Sequence, residues 1–398
     1  MKARLYLGDC LDLLRSLPDD SIDSVVTDPP YGLGKPPKAV DVLEAWLAGE
    51  KAEVSGGGFM GKEWDAFVPG PRIWREVLRV TKPGGHAIVF AGTRTLDWMT
   101  MACRLAGWEV RDSGVWCYWS GFPKSLSAFK ATGEDPRWEG WGTALKPAWE
   151  PWVVLRKPLE GTVAANVLKW GTGAVNVDGC RFKPGDPMWP GPQGESGWAS
   201  SGTVGNPATK GFVGSSTFQI RERHPEDCQP HSLGRWPSNL AHIAKPSRSE
   251  RERGLDRIPA ATSAAVEHHG EGASGLNSPR GGAGRTAGEL KNNHPTVKPV
   301  RLMRWLVRLT TPLGGTVLDP FMGSGTTGAA ACGQGFDFIG ADLSARFVAI
   351  AHERIRHSAP GVEIEAPQEA VEILGETDAP TLWDTLGARR GPEGVEAS

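Results

Sequence analysis

Two stretches of the chain set chemistry-bearing residues at the ends of apolar runs. In the first, Val25-Val26-Thr27 leads into Asp28-Pro29-Pro30-Tyr31-Gly32. The two prolines cannot donate hydrogen bonds and hold φ fixed, so the chain leaves as a rigid arm with free carbonyls. An amino group on an aromatic ring carries two hydrogens and needs two acceptors. The Asp28 carboxylate and the Pro29 carbonyl could supply them while Tyr31 covers the ring face. A carboxylate with a pKa of about 4 is far too weak to strip a neutral aromatic amine, which casts Asp28 as an aligner and charge stabiliser. The plain alternative is a Pro-Pro turn with a capping Asp and a surface Tyr.

The second stretch, Leu318-Asp319-Pro320-Phe321-Met322-Gly323-Ser324-Gly325-Thr326-Thr327-Gly328, contains G-x-G-x-x-G between an apolar run and a helical one. Glycines let a ligand approach the backbone, and a helix start offers unpaired N–H groups. Asp342, at the end of the next apolar run, could receive ribose hydroxyls. A tight strand-helix turn and a helix-capping Asp342 are the plain readings, and a nucleotide-dependent oxidoreductase would carry the same two features.

These residues need a scaffold. At 398 residues with 39% hydrophobic and 23% charged residues, the chain has material for two or three domains. A net charge of −2 removes the overall basic signature of a nucleic-acid binder. Charge is nevertheless uneven, with 13 basic against 6 acidic residues over 230–310 and 2 against 9 over 361–398. No apolar run nears the roughly 20 residues of a membrane helix. The N-terminus meets Asp9 and Asp12 before a signal-peptide core can form, so a cytoplasmic protein with no membrane contact is expected. Six cysteines without C-x-x-C spacing predict neither a disulfide framework nor a zinc ribbon, and the loose pair His268-His269 predicts no metal site.

Residues 1–160 read as alternating strands and helices: a strand at Leu5-Tyr6-Leu7, a helix from Cys10 stopped by Pro18, a strand at Ser24–Thr27, a helix at Pro71–Val80 and a strand at His86–Phe90. Extended stretches follow at Trp108–Trp119 and Trp152–Leu155, a pattern expected of a largely parallel sheet covered by helices. From 161 to 290 periodicity fades into Gly, Pro, Ser and Trp, which predicts loops and disorder, above all over Gly270–Gly288. Leu302, Trp305, Leu306 and Leu309 then share one face of a helix over Val300–Thr310, with Arg301, Arg304 and Arg308 on another. Strands at Thr316–Asp319 and Phe336–Ala341 and a helix capped by Ser344 resume the β-α-β alternation. Beyond about Ala359 the acidic tail has little to bury and is expected to be mobile.

Asp28–Tyr31, the D-P-F-x-G-S-G-T-T of Asp319–Thr327, and His294-Pro295-Thr296-Val297-Lys298-Pro299 together resemble the amino-group DNA methyltransferases that use S-adenosylmethionine. D-P-P-Y comes first and the cofactor loop late, which resembles the circularly permuted beta subgroup. That order argues against protein-glutamine methyltransferases, whose cofactor loop precedes an N-P-P-Y. Phe59–Asp65 and Thr162–Arg181 look similar to phage and prophage members. The resemblance covers about 1–185 and 290–357. It implies an α/β, Rossmann-like S-adenosylmethionine-dependent methyltransferase fold with permuted motif order and an inserted irregular target-recognition region.

The resemblance divides the chain into a catalytic half (1–160), a target-recognition insert (161–290), a cofactor half (291–358) and an acidic tail (359–398). It implies that Asp28, Pro29, Pro30 and Tyr31 handle the target base. Asp319, Pro320, Phe321, Gly323, Ser324, Gly325, Thr326 and Thr327 would wrap the cofactor, with Asp342 on its ribose. Asp9 would lie near its adenine, or serve only as a helix cap. Thr296, Lys298 and Pro299 would close the methionine end, unless Lys298 meets a DNA phosphate. The implied partner is double-stranded DNA, with the target nucleotide swung out of the helix. D-P-P-Y is more typical of adenine N6 in that family, and cytosine N4 is the alternative. Arg235, Lys245, Arg248, Arg251, Arg253 and Arg257 could meet phosphates and base edges, or form a solvated mixed-charge surface. A second copy of the chain and a companion restriction nuclease are partners the resemblance leaves open.

Overall fold

The computed structural model describes residues 1–35, 37–52, 65–121, 125–183, 186–188, 234–261 and 290–375. Their centre is a nine-stranded sheet. The strands are β1 Lys2–Leu7, β2 Ile22–Thr27, β3 Thr81–Phe90, β4 Glu109–Cys117, β5 Trp149–Arg156, β6 Leu240–His242, β7 Thr316–Asp319, β8 Asp337–Asp342 and β9 Glu363–Glu365. Across the sheet they run β6-β4-β5-β3-β2-β7-β8-β1-β9. Every pairing is parallel except those of β5, which runs antiparallel to both β3 and β4. The expected, largely parallel sheet therefore contains one reversed strand.

Alternation along the strands divides the core in two. Val26, Ile88 and Val317 face one layer with Leu302, Leu306, Ala330 and Ile350, whereas Val25, Val89 and Leu318 face the other with Leu14, Trp74, Val77 and Met99. The helices Val300–Thr310, Thr326–Cys332 and Ala345–Ser358 thus cover one face, and Cys10–Ser16, Pro71–Val80 and Leu96–Leu105 cover the other. The helix after β7 lies on the first face and the helix leading from β2 to β3 on the second. Those two strands are neighbours, with Ser24 opposite Val317 and Val25 opposite Leu318. A crevice opens where adjacent parallel strands send their helices to opposite sides, which is where open α/β sheets collect ligands.

Two expectations need correction. The described parts of 161–290 are folded onto the core. Thr162 caps the helix Val163–Trp170, whose buried Asn166 donates to the carbonyls of Pro83 and Thr172. Phe182 stacks on Trp305 with centroids 5.5 Å apart, and β6 extends the sheet beside β4. Elements of three to eight residues complete too few turns to show a period, while a few large side chains such as Phe182, Leu255 and Ile258 suffice to anchor them. The tail is likewise folded as far as residue 375. Ile364 pairs with Ala3, and the helix Gln368–Ile373 buries Ala370 and Val371. The excess of acidic residues hid these few apolar positions. Phe59–Trp64, Cys228, His268-His269 and Gly270–Gly288 lie outside the described residues.

Candidate functional site

The carboxyl ends of the parallel strands converge on one cleft of about 1770 Å³. Asp28 to Tyr31 follow β2, Pro320 to Ser324 follow β7, Asp342 ends β8, and Gly8 and Asp9 follow β1. β5, running the other way, brings its first residues, Trp149 and Glu150, to the same mouth. The two motif-bearing strands are joined chemically as well as by pairing. The Thr27 hydroxyl donates to Asp319 Oδ1 at 2.7 Å, and Thr327 donates to Asp319 Oδ2 at 2.6 Å. Burial pushes the Asp319 carboxyl up to about 6, against the pull of those donors.

Four charged side chains line one wall of the cleft. Lys298, 5% exposed, donates to Asp28 Oδ2 and lies 3.3 Å from Glu150 Oε2. Glu150 also receives the Tyr31 hydroxyl at 3.2 Å and the Lys245 ammonium at 3.3 Å. The Lys298 ammonium lies 5.1 to 5.9 Å from the ring centroids of Phe90, Tyr31 and Trp116, and Lys245 lies 4.1 Å from Tyr118. Burial raises the Asp28 pKa above the ordinary carboxylate value, although Lys298 draws it down. Burial opposes charge on Lys298 too, yet the two carboxylates hold its pKa above the usual lysine value. Glu150, half-buried and flanked by both lysines, lies below its ordinary value. The pairs Asp28–Lys298 and Glu150–Lys245 make a neutral array, which is how buried charges are tolerated. Asp28 Oδ1 is buried and has no hydrogen-bond partner among the described residues.

Tyr31 is fixed from both sides. Its N–H and that of Gly32 donate to Asp65 Oδ1 at 2.7 and 3.0 Å, and its carbonyl accepts from the Thr95 hydroxyl at 2.6 Å. Asp65 and Thr95 thereby set the path of the Pro-Pro arm.

The glycine turn lines the same cleft. Gly323 has φ +52°, and a Cβ there would sit 2.7 Å from His294 Nε2; Gly325 has φ +73° and presses on Ala351. Both positions therefore demand glycine. Asp342 accepts from the Gly323 N–H at 3.0 Å and the Ser344 N–H at 2.8 Å, and burial raises its pKa to about 6. The buried Arg354 ties the turn from behind, donating to the Ser324 carbonyl and to the Ser324 and Thr326 hydroxyls at 2.8 to 2.9 Å. His294 packs edge-on against Phe347, and burial with nearby cations lowers its pKa to about 3, so it is neutral.

The sequence-predicted residues divide accordingly. Asp28, Pro29, Pro30, Tyr31, Asp9, Thr296, Lys298, Asp319, Pro320, Phe321, Gly323, Ser324, Thr326, Thr327 and Asp342 line the one cleft. Gly325 packs on Ala351 and the buried Pro299 leads into the helix Val300–Thr310, so both shape the cleft without facing it. Asp9 does cap its helix, accepting from Leu11 N–H at 2.7 Å, and lines the cleft as well. Lys298 lines the cleft with its ammonium committed to Asp28 and Glu150.

The basic residues of the insert also carry structural duties. Arg251 donates to the carbonyls of Asn292 and His294, and Arg257 donates to the Leu374 carbonyl. Arg248 pairs with Glu252. Glu150, Asp65, Thr95 and Arg354 were not singled out by sequence reasoning; only Asp65 sat in a quoted stretch. The five described cysteines are free. Among the described residues no helix is long and apolar enough to cross a membrane, and no group of three or more His, Cys, Asp or Glu could hold a metal ion.

Comparison with known proteins gives a family match, described as DNA methylase, over residues 22–353. The type II methyltransferase M.SfiI of Streptomyces fimbriatus is 22% identical over 396 residues, covering 86% of this chain and 89% of that protein. The DNA adenine methyltransferase YhdJ of Escherichia coli K12 is 40% identical over 63 residues, which are 16% of this chain and 21% of that one. Among solved structures, PvuII DNA methyltransferase (cytosine-N4-specific) aligns with 94% of this chain and 92% of its own length, at 15% identity and a TM-score of 0.48.

Proposed function

The chain belongs to the family of N6 and N4 DNA methylases, and on that premise we propose that it methylates the N6 amino group of adenine at specific sites in double-stranded DNA, using S-adenosylmethionine. The observation that carries this reading is the buried, unpartnered Asp28 Oδ1, which lines the same cleft as the Gly323 turn. A buried acceptor without a donor is costly, so it suits a donor that arrives with the substrate. The cleft volume of about 1770 Å³ exceeds the 300–1000 Å³ common for one small ligand, which leaves room for a cofactor beside a base.

The residues present suit S-adenosylmethionine. Asp342, Asp319 and the turn from Gly323 to Thr327 would hold its polar end and ribose, with Asp9 toward its adenine and Phe321 along the wall. Bound there, the cofactor supplies an electrophilic methyl on a sulfonium. Asp28 Oδ1 accepts one hydrogen of the target amine and the Pro29 carbonyl accepts the other, which turns the nitrogen lone pair toward that methyl. Lys298 draws the Asp28 pKa down against the effect of burial and so favours the carboxylate, which stabilises the positive charge that develops on the nitrogen and then receives the departing proton. Holding both reacting groups at attack distance lowers the barrier further.

A base inside a duplex hides its amine edge, so the target must swing out at a cost of a few kcal/mol. The Tyr31 ring, held by Glu150, Asp65 and Thr95, offers a ready surface on which it can stack. Adenine is preferred because the motif reads D-P-P-Y. A nucleotide-dependent oxidoreductase would leave both that motif and His294–Pro299 without a use. Modification-aware sequencing of DNA from cells expressing the protein tests the reading. N6-methyladenine in a fixed sequence context is the expected result; N4-methylcytosine would overturn the choice of base, and unmodified DNA would overturn the activity.

A further inference from the structure

We infer that Glu150 is a positioning residue for methyl transfer, holding Lys298 and the Tyr31 hydroxyl so that Asp28 keeps one carboxylate oxygen turned to the incoming amine. This rests on the proposed reading of the site and extends it to a residue outside all three motifs. Glu150 comes from β5, the one antiparallel strand, whose reversed direction brings its first residues to the cleft mouth. Its Oε2 faces both Lys298, at 3.3 Å, and the Tyr31 hydroxyl, at 3.2 Å, while Lys245 binds Oε1. Three bonds to two oxygens fix the carboxylate, and it in turn fixes the two groups that flank Asp28. A lysine ammonium has three donors and a flexible stem. With Asp28 alone as partner, Lys298 would be free to engage either oxygen of that carboxylate, including the one the amine needs. Shared between two acidic residues, it stays on Oδ2.

The charged and titratable groups facing Asp28 are Lys298, Glu150, Tyr31 and Asp319. Among them the negative charge of Glu150 raises the Asp28 pKa, whereas Lys298 lowers it. Removing that negative charge should therefore lower it. A residue that only supports packing would not move the acid limb of the rate profile.

The test is steady-state methyl transfer to an unmethylated duplex by the full-length Glu150→Gln variant, with cofactor titration as the check on folding. We expect kcat to fall roughly ten- to a hundredfold, as for loss of one charge-assisted contact. KM for S-adenosylmethionine should stay within about twofold, and the acid limb of the kcat–pH profile should move to lower pH. In a double-mutant cycle with Lys298→Met, which removes the group through which Glu150 is inferred to act, the combined loss should be smaller than the product of the single losses. Wild-type kcat and an unmoved limb in Glu150→Gln, or losses that multiply, would overturn the inference. If Glu150→Gln binds no cofactor and does not fold, Glu150→Asp decides, because it keeps the charge but draws it back from Lys298 and Tyr31: a severalfold loss of kcat at unchanged cofactor KM supports the inference, and full activity refutes it. A wild-type protein that transfers no methyl to any unmethylated DNA would fell the underlying reading as well, and so separates the two failures.

Discussion

Lys298 is the keystone of the charge array, and Lys298→Met should show it without any DNA or cofactor. The side chain is 5% exposed and stands between the carboxylates of Asp28 and Glu150, themselves 17% and 18% exposed. Methionine keeps the length and fills the aromatic surround of Phe90, Tyr31 and Trp116, so the change is chiefly electrostatic. Glu150 retains Lys245, but Asp28 is left buried with no cation. Breaking a buried pair by removing one partner costs about 3–5 kcal/mol. With a urea slope of about 2–3 kcal/mol per molar, the midpoint should fall by roughly 1–2 M at pH 8.

The loss must also depend on pH. Burial already raises the Asp28 pKa, and without Lys298 it rises further. A carboxyl whose folded pKa exceeds its unfolded value keeps its stability at acid pH, where it is protonated, and loses it as pH climbs through the folded pKa. The gap between wild type and Lys298→Met should therefore narrow at pH 5 and widen toward pH 8. Urea titrations followed by tryptophan fluorescence at both pH values measure it. An unchanged midpoint, or a gap constant with pH, would refute the idea that Lys298 holds a buried Asp28 ionised.

Other outcomes follow from the same geometry. Asp28→Asn offers an amide donor or a weakened acceptor in place of Oδ1, so kcat should fall by roughly 10²–10³; cofactor affinity, measured by calorimetry, should be unchanged, since the residues proposed to hold the cofactor are others. Gly323→Ala must place a Cβ 2.7 Å from His294 at φ +52°; cofactor binding should weaken roughly five- to a hundredfold in the same calorimetric assay, for a strain of about 1–3 kcal/mol. Truncation after Ser358 removes β9 from the edge of β1 and uncovers the surface under Ala370 and Val371. It should lower the thermal midpoint by several degrees.

Much of the scaffold is legible in the sequence because its elements are long and strongly patterned. Pro71–Val80, Val300–Thr310 and Thr316–Asp319 have the bounds that their apolar spacing and flanking Pro or Gly predict. The apolar pattern of β5 begins only at Trp152, three residues after the strand itself, so nothing local marks Glu150 as part of a strand that reaches the cleft. The partnership of Asp28 with Lys298 joins positions 270 residues apart, and no local pattern announces it. The basic run of the insert leaves two readings open for a related reason. Charge counts cannot tell an arginine awaiting phosphate from one that, like Arg251, is spent on the carbonyls of Asn292 and His294. In the tail, three residues of β9 and two buried positions of one short helix were too few to stand out against the acidic background.

The central claim is that the Asp28 acceptor and the Gly323 turn serve one reaction on an exocyclic amine across one cleft. Incubating the purified protein with methyl-labelled S-adenosylmethionine and unmethylated genomic DNA, then digesting to nucleosides and separating them, tests it directly. The label should elute as N6-methyldeoxyadenosine; label on a ring carbon such as C5 of cytosine, or DNA that stays unlabelled, would contradict it.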